Sequence, residues 1–148
     1  MKKYNKFSLL IIVTATVTVL FFTGCVKDLT GTVYNGADLV EFANPASKII
    51  TTTVAPKSDS ILVQLVGKQR TTATSVTYSI NASSTAVAGI DYTIVTPSPV
   101  VIAANGSSAW IKFTLNKVSA VKTIVIDLTG GDAVQPSVNY KTFTYSLK

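Results

Sequence analysis

The stretch Thr85-Ala86-Val87-Ala88-Gly89-Ile90-Asp91-Tyr92-Thr93-Ile94-Val95, Thr96-Pro97-Ser98-Pro99, Val100-Val101-Ile102-Ala103-Ala104-Asn105-Gly106, Ser107-Ser108-Ala109-Trp110-Ile111-Lys112-Phe113-Thr114-Leu115 decides the fold class. It holds three short apolar runs separated by turns of three kinds. Gly89 takes a positive φ without a Cβ penalty and suits a turn into a strand on which Ile90, Tyr92 and Ile94 alternate inward. Pro97 and Pro99 deny ladder donors and end that strand. Val100 to Ile102 restart an extended run, and Asn105-Gly106 reads as a hairpin turn, because both residues tolerate left-handed backbone. Beyond it Ala109, Ile111, Phe113 and Leu115 point to a core, while Trp110, Lys112, Thr114 and Asn116 point to water.

The same punctuation runs outward in both directions. Leu39 to Phe42 reads as a first strand stopped by Asn44-Pro45, and Ile49 to Val54 as a β-branched strand running to Pro56. Ile61 to Val66 is apolar on both faces apart from Gln64, so it should lie centrally, and Gly67 closes it. Val76, Tyr78 and Ile80 alternate with Thr77, Ser79 and Asn81. Ile124, Ile126 and Leu128 point inward up to Gly130-Gly131, and Tyr140 to Leu147 forms the last strand with Phe143, Tyr145 and Leu147 on one face. About eight or nine strands at this spacing predict an all-β sandwich, and no helix-period segment follows residue 24.

Thr85-Ala86, Gly89-Ile90-Asp91-Tyr92, the strand and turn from Val100 to Gly106, and the strand ending in Phe113 and Leu115 resemble the Calx-beta domain and its relatives among small β-sandwich lipoproteins of Bacteroidota. The resemblance implies a single immunoglobulin-like (Calx-beta-like) antiparallel β-sandwich. It also implies a place to look for calcium, since binding members cluster acids in loops at one end of the sandwich, including the Asp of the Gly-x-Asp-Tyr motif, here Asp91. The later acidic loop is missing: residues 116–122 hold two lysines and no carboxylate. Calcium takes six to eight oxygens, several of them charged, so Asp91 reads instead as an acceptor of backbone hydrogen bonds at a turn.

The amino terminus sets the address. Three lysines within residues 1–6 precede an apolar run from Phe7 to Phe22 that ends at Thr23-Gly24-Cys25. A charged start, a short apolar region and small residues before a cut describe a secretory signal, residues 1–24. Phe22-Thr23-Gly24-Cys25 resembles a bacterial lipobox, which implies cleavage before Cys25 and diacylglycerol on its thiol. Cys25 is the only cysteine, so it has no internal disulfide partner to explain it. Acyl chains at roughly 0.8 kcal/mol per buried CH₂ anchor a protein stably without spanning. The expected organisation is a signal peptide (1–24), a lipidated Cys25 with a tether (25–37) and a sandwich domain (38–148), located at the outer membrane in either leaflet.

Composition removes most chemistries. The 148 residues include no His, one Cys and one Glu. Ser-His-Asp and Cys-His catalysis are therefore excluded, and paired carboxylates would have to come from six aspartates, of which only Asp127 and Asp132 lie close in sequence. An enzyme is not expected, no catalytic or metal-ligating residues are assigned, and no cofactor is implied. Losing residues 1–24 removes three of thirteen basic residues and none of seven acids, leaving ten against seven, about +3. With Arg70 the only arginine and no basic cluster, nucleic acid is not a partner.

What remains points to binding. Trp110, opposite the Ile111 and Phe113 face, is a candidate ligand contact, because an exposed indole can stack on a sugar ring or a protein surface. Asp59-Ser60-Ile61 resembles an O-glycosylation acceptor of exported Bacteroidota proteins, making Ser60 a candidate modification site. Asn81-Ala82-Ser83 and Asn105-Gly106-Ser107 fit the N-glycosylation pattern but read as turns. The expected function is a non-enzymatic interaction or accessory module of the cell envelope that docks onto an envelope protein. The alternative is a cell-surface carbohydrate-binding accessory protein.

Overall fold

A computed structural model describes residues 36–43, 46–50, 52, 56–131 and 133–148. The signal region, Cys25, most of the tether, Asp132 and the Asn44-Pro45 stop lie outside these residues. Ten strands are present among them: β1 (Leu39–Phe42), β2 (Ala46–Ile50), β3 (Lys57–Val66), β4 (Thr74–Ile80), β5 (Tyr92–Ile94), β6 (Val100–Ile102), β7 (Ser108–Leu115), β8 (Lys122–Gly130), β9 (Gln135–Pro136) and β10 (Thr142–Leu147). They form two five-stranded sheets. Sheet A has the order β5-β7-β3-β1-β9 and sheet B the order β2-β10-β8-β4-β6. Pairing is antiparallel except where β9 joins β1 and β2 joins β10.

Period-two alternation builds the core. Ile61 and Val63, Val76 and Tyr78, Ile111, Phe113 and Leu115, Ile124, Ile126 and Leu128, and Phe143, Tyr145 and Leu147 are all buried. Rings from both sheets interlock through it: Phe42 meets Phe143 at 5.6 Å, Phe143 meets Tyr145 at 5.1 Å, Tyr145 meets Phe113 at 5.6 Å and Phe113 meets Tyr92 at 6.3 Å. These tilted and edge-on contacts suit the aromatic quadrupole. The strand β3 is central in sheet A, between β7 and β1, as its two-faced apolar pattern requires.

Five expectations are corrected. Ile90 does not enter a strand: β5 begins at Tyr92, and Ile90 is 68% exposed in the preceding turn. Gly89, at φ +81°, donates its N–H to Tyr92 O at 2.7 Å, so this turn takes up the residues that alternation assigned to the strand. Asn105 is left-handed at φ +58°, but the turn it makes is not a hairpin. The strand before it, β6, pairs with β4 in sheet B, whereas β7 belongs to sheet A, so Asn105-Gly106 carries the chain between sheets. The second strand begins earlier than Ile49, at Ala46, and is described to Ile50, most of the expected run on to Val54 lying outside the described residues; β10 starts at Thr142, with Tyr140 exposed. The short β9, which contains Pro136, raises the strand count beyond eight or nine. Pro136 is tolerated there because β9 is an edge strand.

Chain direction defines two ends. The start of β1 pairs with the end of β3, Leu39 opposite Val66. The start of β3, the end of β7 and the end of β10 lie at the other end, where Lys57 is opposite Leu115 and Leu147 opposite Lys122. The chain therefore enters at one end, and the turns around Gly89 and Lys117 occupy the far one.

Candidate ligand-binding face

At the far end Asp91 is 4% exposed and held in place. Its Oδ2 accepts the Val87 N–H at 2.7 Å and the Lys122 ammonium at 2.7 Å. Its N–H donates to Val87 O, and its carbonyl accepts from Asn116 N, while Asn116 Nδ2 donates to Ile90 O. The side-chain bond from Lys122 and the Val87 N–H bond hold its carboxyl below the ordinary value of 3.8, against the opposing effect of burial. The turn-acceptor reading of Asp91 thus gains a partner that sequence did not reveal. Lys122 lies in the segment where calcium-binding members were expected to have acids, and its ammonium bonds the carboxylate directly. One carboxylate already bonded to an ammonium does not fit calcium, and no cluster of three acidic, His or Cys side chains occurs among the described residues.

The outer face of sheet A differs in kind. Alternation turns Trp110 away from the core, and it is 50% exposed, as expected. Its register partner on β3 is Leu62; the next outward pair along the strands is Lys112 and Ser60. Val95 then extends the row, since its N–H donates to Lys112 O at 2.8 Å. Ser58, Asp59, Ser60, Val95, Lys112 and Phe113 line a groove of about 280 Å³ on this sheet. The Asp59 carboxylate is turned from it by alternation, and its Oδ1 lies 2.7 Å from the Lys48 ammonium. Lys112 has no ion pair among the described residues.

The structure therefore brings Trp110 and Ser60 to one face and leaves Asp91 at the far end, while Cys25 lies outside the described residues. Ser60 is half-buried within a ten-residue strand, where its side chain lines the groove. Asp127 projects outward as expected but is engaged: Oδ2 accepts from Asn81 at 2.6 Å and Oδ1 from Thr142 at 2.6 Å. Asn81 also makes the turn expected of it, accepting the Ser83 N–H at 2.9 Å. Sequence reasoning missed Lys112, Ser58 and Val95 as a group; the outward alternation of Lys112 beside Trp110 was the available signal.

Behind the face, Asp59 Oδ2 and the Tyr145 hydroxyl are buried without a hydrogen-bond partner. Burial and then the nearby Asp59 charge push the Tyr145 phenol far above its ordinary value.

No protein-family model matches the chain, and no curated protein matches it. Solved structures do. The apo form of the Calx CBD1 domain superposes with a TM-score of 0.59 at 16% identity, over 76% of this chain and 96% of that one. The Calx CBD2 domain gives 0.59 at 13% identity, over 76% and 88%. A Bacteroides ovatus protein provisionally named as carbohydrate binding gives 0.56 at 8% identity, over 74% of this chain and 36% of that one, so this chain spans about a third of its length. At such identities the likeness is one of fold, and the chain has the Calx-beta type of β-sandwich.

Proposed function

We propose that this chain is a non-catalytic accessory module of the cell envelope, anchored in the outer membrane by lipid on Cys25, that binds a saccharide on the outer face of sheet A. The observation that carries the reading is the half-exposed Trp110 beside a groove lined by Ser58, Ser60, Val95 and Lys112. An indole offers its face to the C–H side of a pyranose, while hydroxyls and an ammonium offer bonds to its oxygens. A flat protein epitope would use the indole but leave a polar groove unfilled, which favours a saccharide over the envelope-protein partner expected first from sequence. The naming of the Bacteroides ovatus neighbour supports the same direction. The lone Cys25 in its lipobox-like setting supports the anchor.

The test uses the full chain, recovered from native membranes in mild detergent and applied to arrayed neutral and acidic oligosaccharides. Binding lost in Trp110→Ala supports the reading. Failure of the native chain to bind any saccharide, with recovery of a stoichiometric envelope protein after mild crosslinking, overturns it in favour of protein docking. The anchor is tested separately: Cys25→Ala moves the protein out of the membrane fraction, and a protein that stays there refutes lipidation at Cys25.

A further inference from the structure

We infer that the groove selects an anionic pyranose, a uronate or sulfated sugar, with Trp110 as the stacking platform and Lys112 as the charge that recognises the acid; this rests on the saccharide reading above.

The inference comes from where the charges on this molecule are already used. Asp38 is bound to Arg70, Asp59 to Lys48 and Asp91 to Lys122. Asp127 takes bonds from Asn81 and Thr142, and Glu41 from Gln64. Every described carboxylate therefore has a partner, whereas Lys112 has no anion among the described residues. On the outer face of sheet A the one described carboxylate is Glu41, on β1, opposite Gln64, whose own partner on β7 is Ser108. Lys112 lies four residues further along β7, so about 14 Å of strand separates the two charges. The ammonium at the groove is thus unpaired among the described residues, while Asp59, the acid in the groove lining, is already bonded to Lys48.

The spacing suits one sugar. Trp110 and Lys112 are two residues apart on one strand, so their side chains rise from the same face about 7 Å apart. A pyranose lying over the indole can present its acidic group to the ammonium, and the four-carbon stem of lysine accommodates the angle. Ser58 and Ser60 supply hydroxyls that donate to and accept from ring hydroxyls, and Val95 closes the edge with an apolar wall. Charge–charge recognition at a half-open groove is weakened by salt, which gives the site a readable signature.

The experiment measures binding of the full chain in detergent to galacturonate, mannuronate and glucuronate oligomers, each beside its methyl ester, and to a sulfated galactan beside its desulfated form. Each pair keeps the rings and removes the charge. The expected result is at least tenfold tighter binding of a charged member over its neutral counterpart, shrinking as salt rises. Lys112→Met erases that preference, weakening the charged member much more than the neutral one, and Trp110→Ala weakens both members. Equal affinity within every pair, or a preference that survives Lys112→Met, overturns the inference while the saccharide reading stands. No binding to any member of the panel overturns the inference, and the saccharide reading falls with it only if the wider array of neutral and acidic oligosaccharides is also unbound. Uronate and sulfate arms responding differently assigns the anion.

Discussion

Asp91 and Lys112 are both charged residues near a strand end or face, yet they are used in opposite ways. Asp91 is buried, takes an ammonium and a backbone N–H on one oxygen, and ties two turns together. Lys112 is exposed, unpaired among the described residues and next to an aromatic platform and a groove. A charge that is buried and bonded to both an ammonium and a backbone N–H holds the fold, because removing either partner strands the other. A charge left in water beside an indole costs the fold nothing and is free for a ligand.

The largest way to break this contrast is Asp91→Ala, which leaves the Lys122 ammonium and the Val87 N–H without their acceptor. The expected loss is about 3 kcal/mol of unfolding free energy, measured by denaturant titration. A loss below about 1 kcal/mol would show that the turns are held by their backbone bonds alone.

The same bridge sets a pH limit. The folded carboxyl of Asp91 lies below its ordinary value of 3.8, so its contribution is present above the usual carboxylate range and is lost as pH falls through about 4 toward the folded value. Thermal melts from pH 6 down to pH 2.5 should fall in this acid window, and the Asp91→Ala melts should fall less. Equal slopes would place the acid sensitivity elsewhere.

A smaller effect of opposite sign is expected behind the groove. The Tyr145 hydroxyl is buried without a partner, beside an orphaned oxygen of Asp59. Tyr145→Phe keeps the ring contacts with Phe113 and Phe143 and removes the unbonded group, so stability should rise by about 1 kcal/mol. A loss of stability would mean that the two atoms bond to each other in solution.

At the other side of the contrast, the half-covered Trp110→Ala should cost about 1 kcal/mol, well below Asp91→Ala, and the exposed Lys112→Met should change stability by no more than about 0.5 kcal/mol. A larger loss would make the face structural. The smallest readout is the intact mass of the native protein: a sugar on Ser60 would fill the groove that a ligand needs, so occupancy of Ser60 and ligand binding exclude each other.

Strand alternation was readable because each side chain's face depends only on its own place in the strand. That is why alternation alone puts Trp110 on the outer face and Ile111, Phe113, Ile124 and Tyr145 in the core. Turn residues were legible as turns but not in their consequences. Asn105 takes the left-handed backbone expected of it, yet the chain it turns leaves for the other sheet, and Ile90 is diverted because the turn at Gly89 extends to Tyr92. The strand β9 escaped notice since two residues with a proline carry no periodic signal and pair only because β1 lies beside them.

Sequence alone determined the all-β class, the core faces, the absence of His-based chemistry and the expectation of a lipid anchor at Cys25, because composition and period two are properties of single residues and single strands. Tertiary structure decided the rest: that Lys122 closes on Asp91 across 31 residues, that β6 joins β4, and that Lys112, Ser60 and Val95 meet beside Trp110. These are matters of register between strands, fixed by how two five-stranded sheets close over one core.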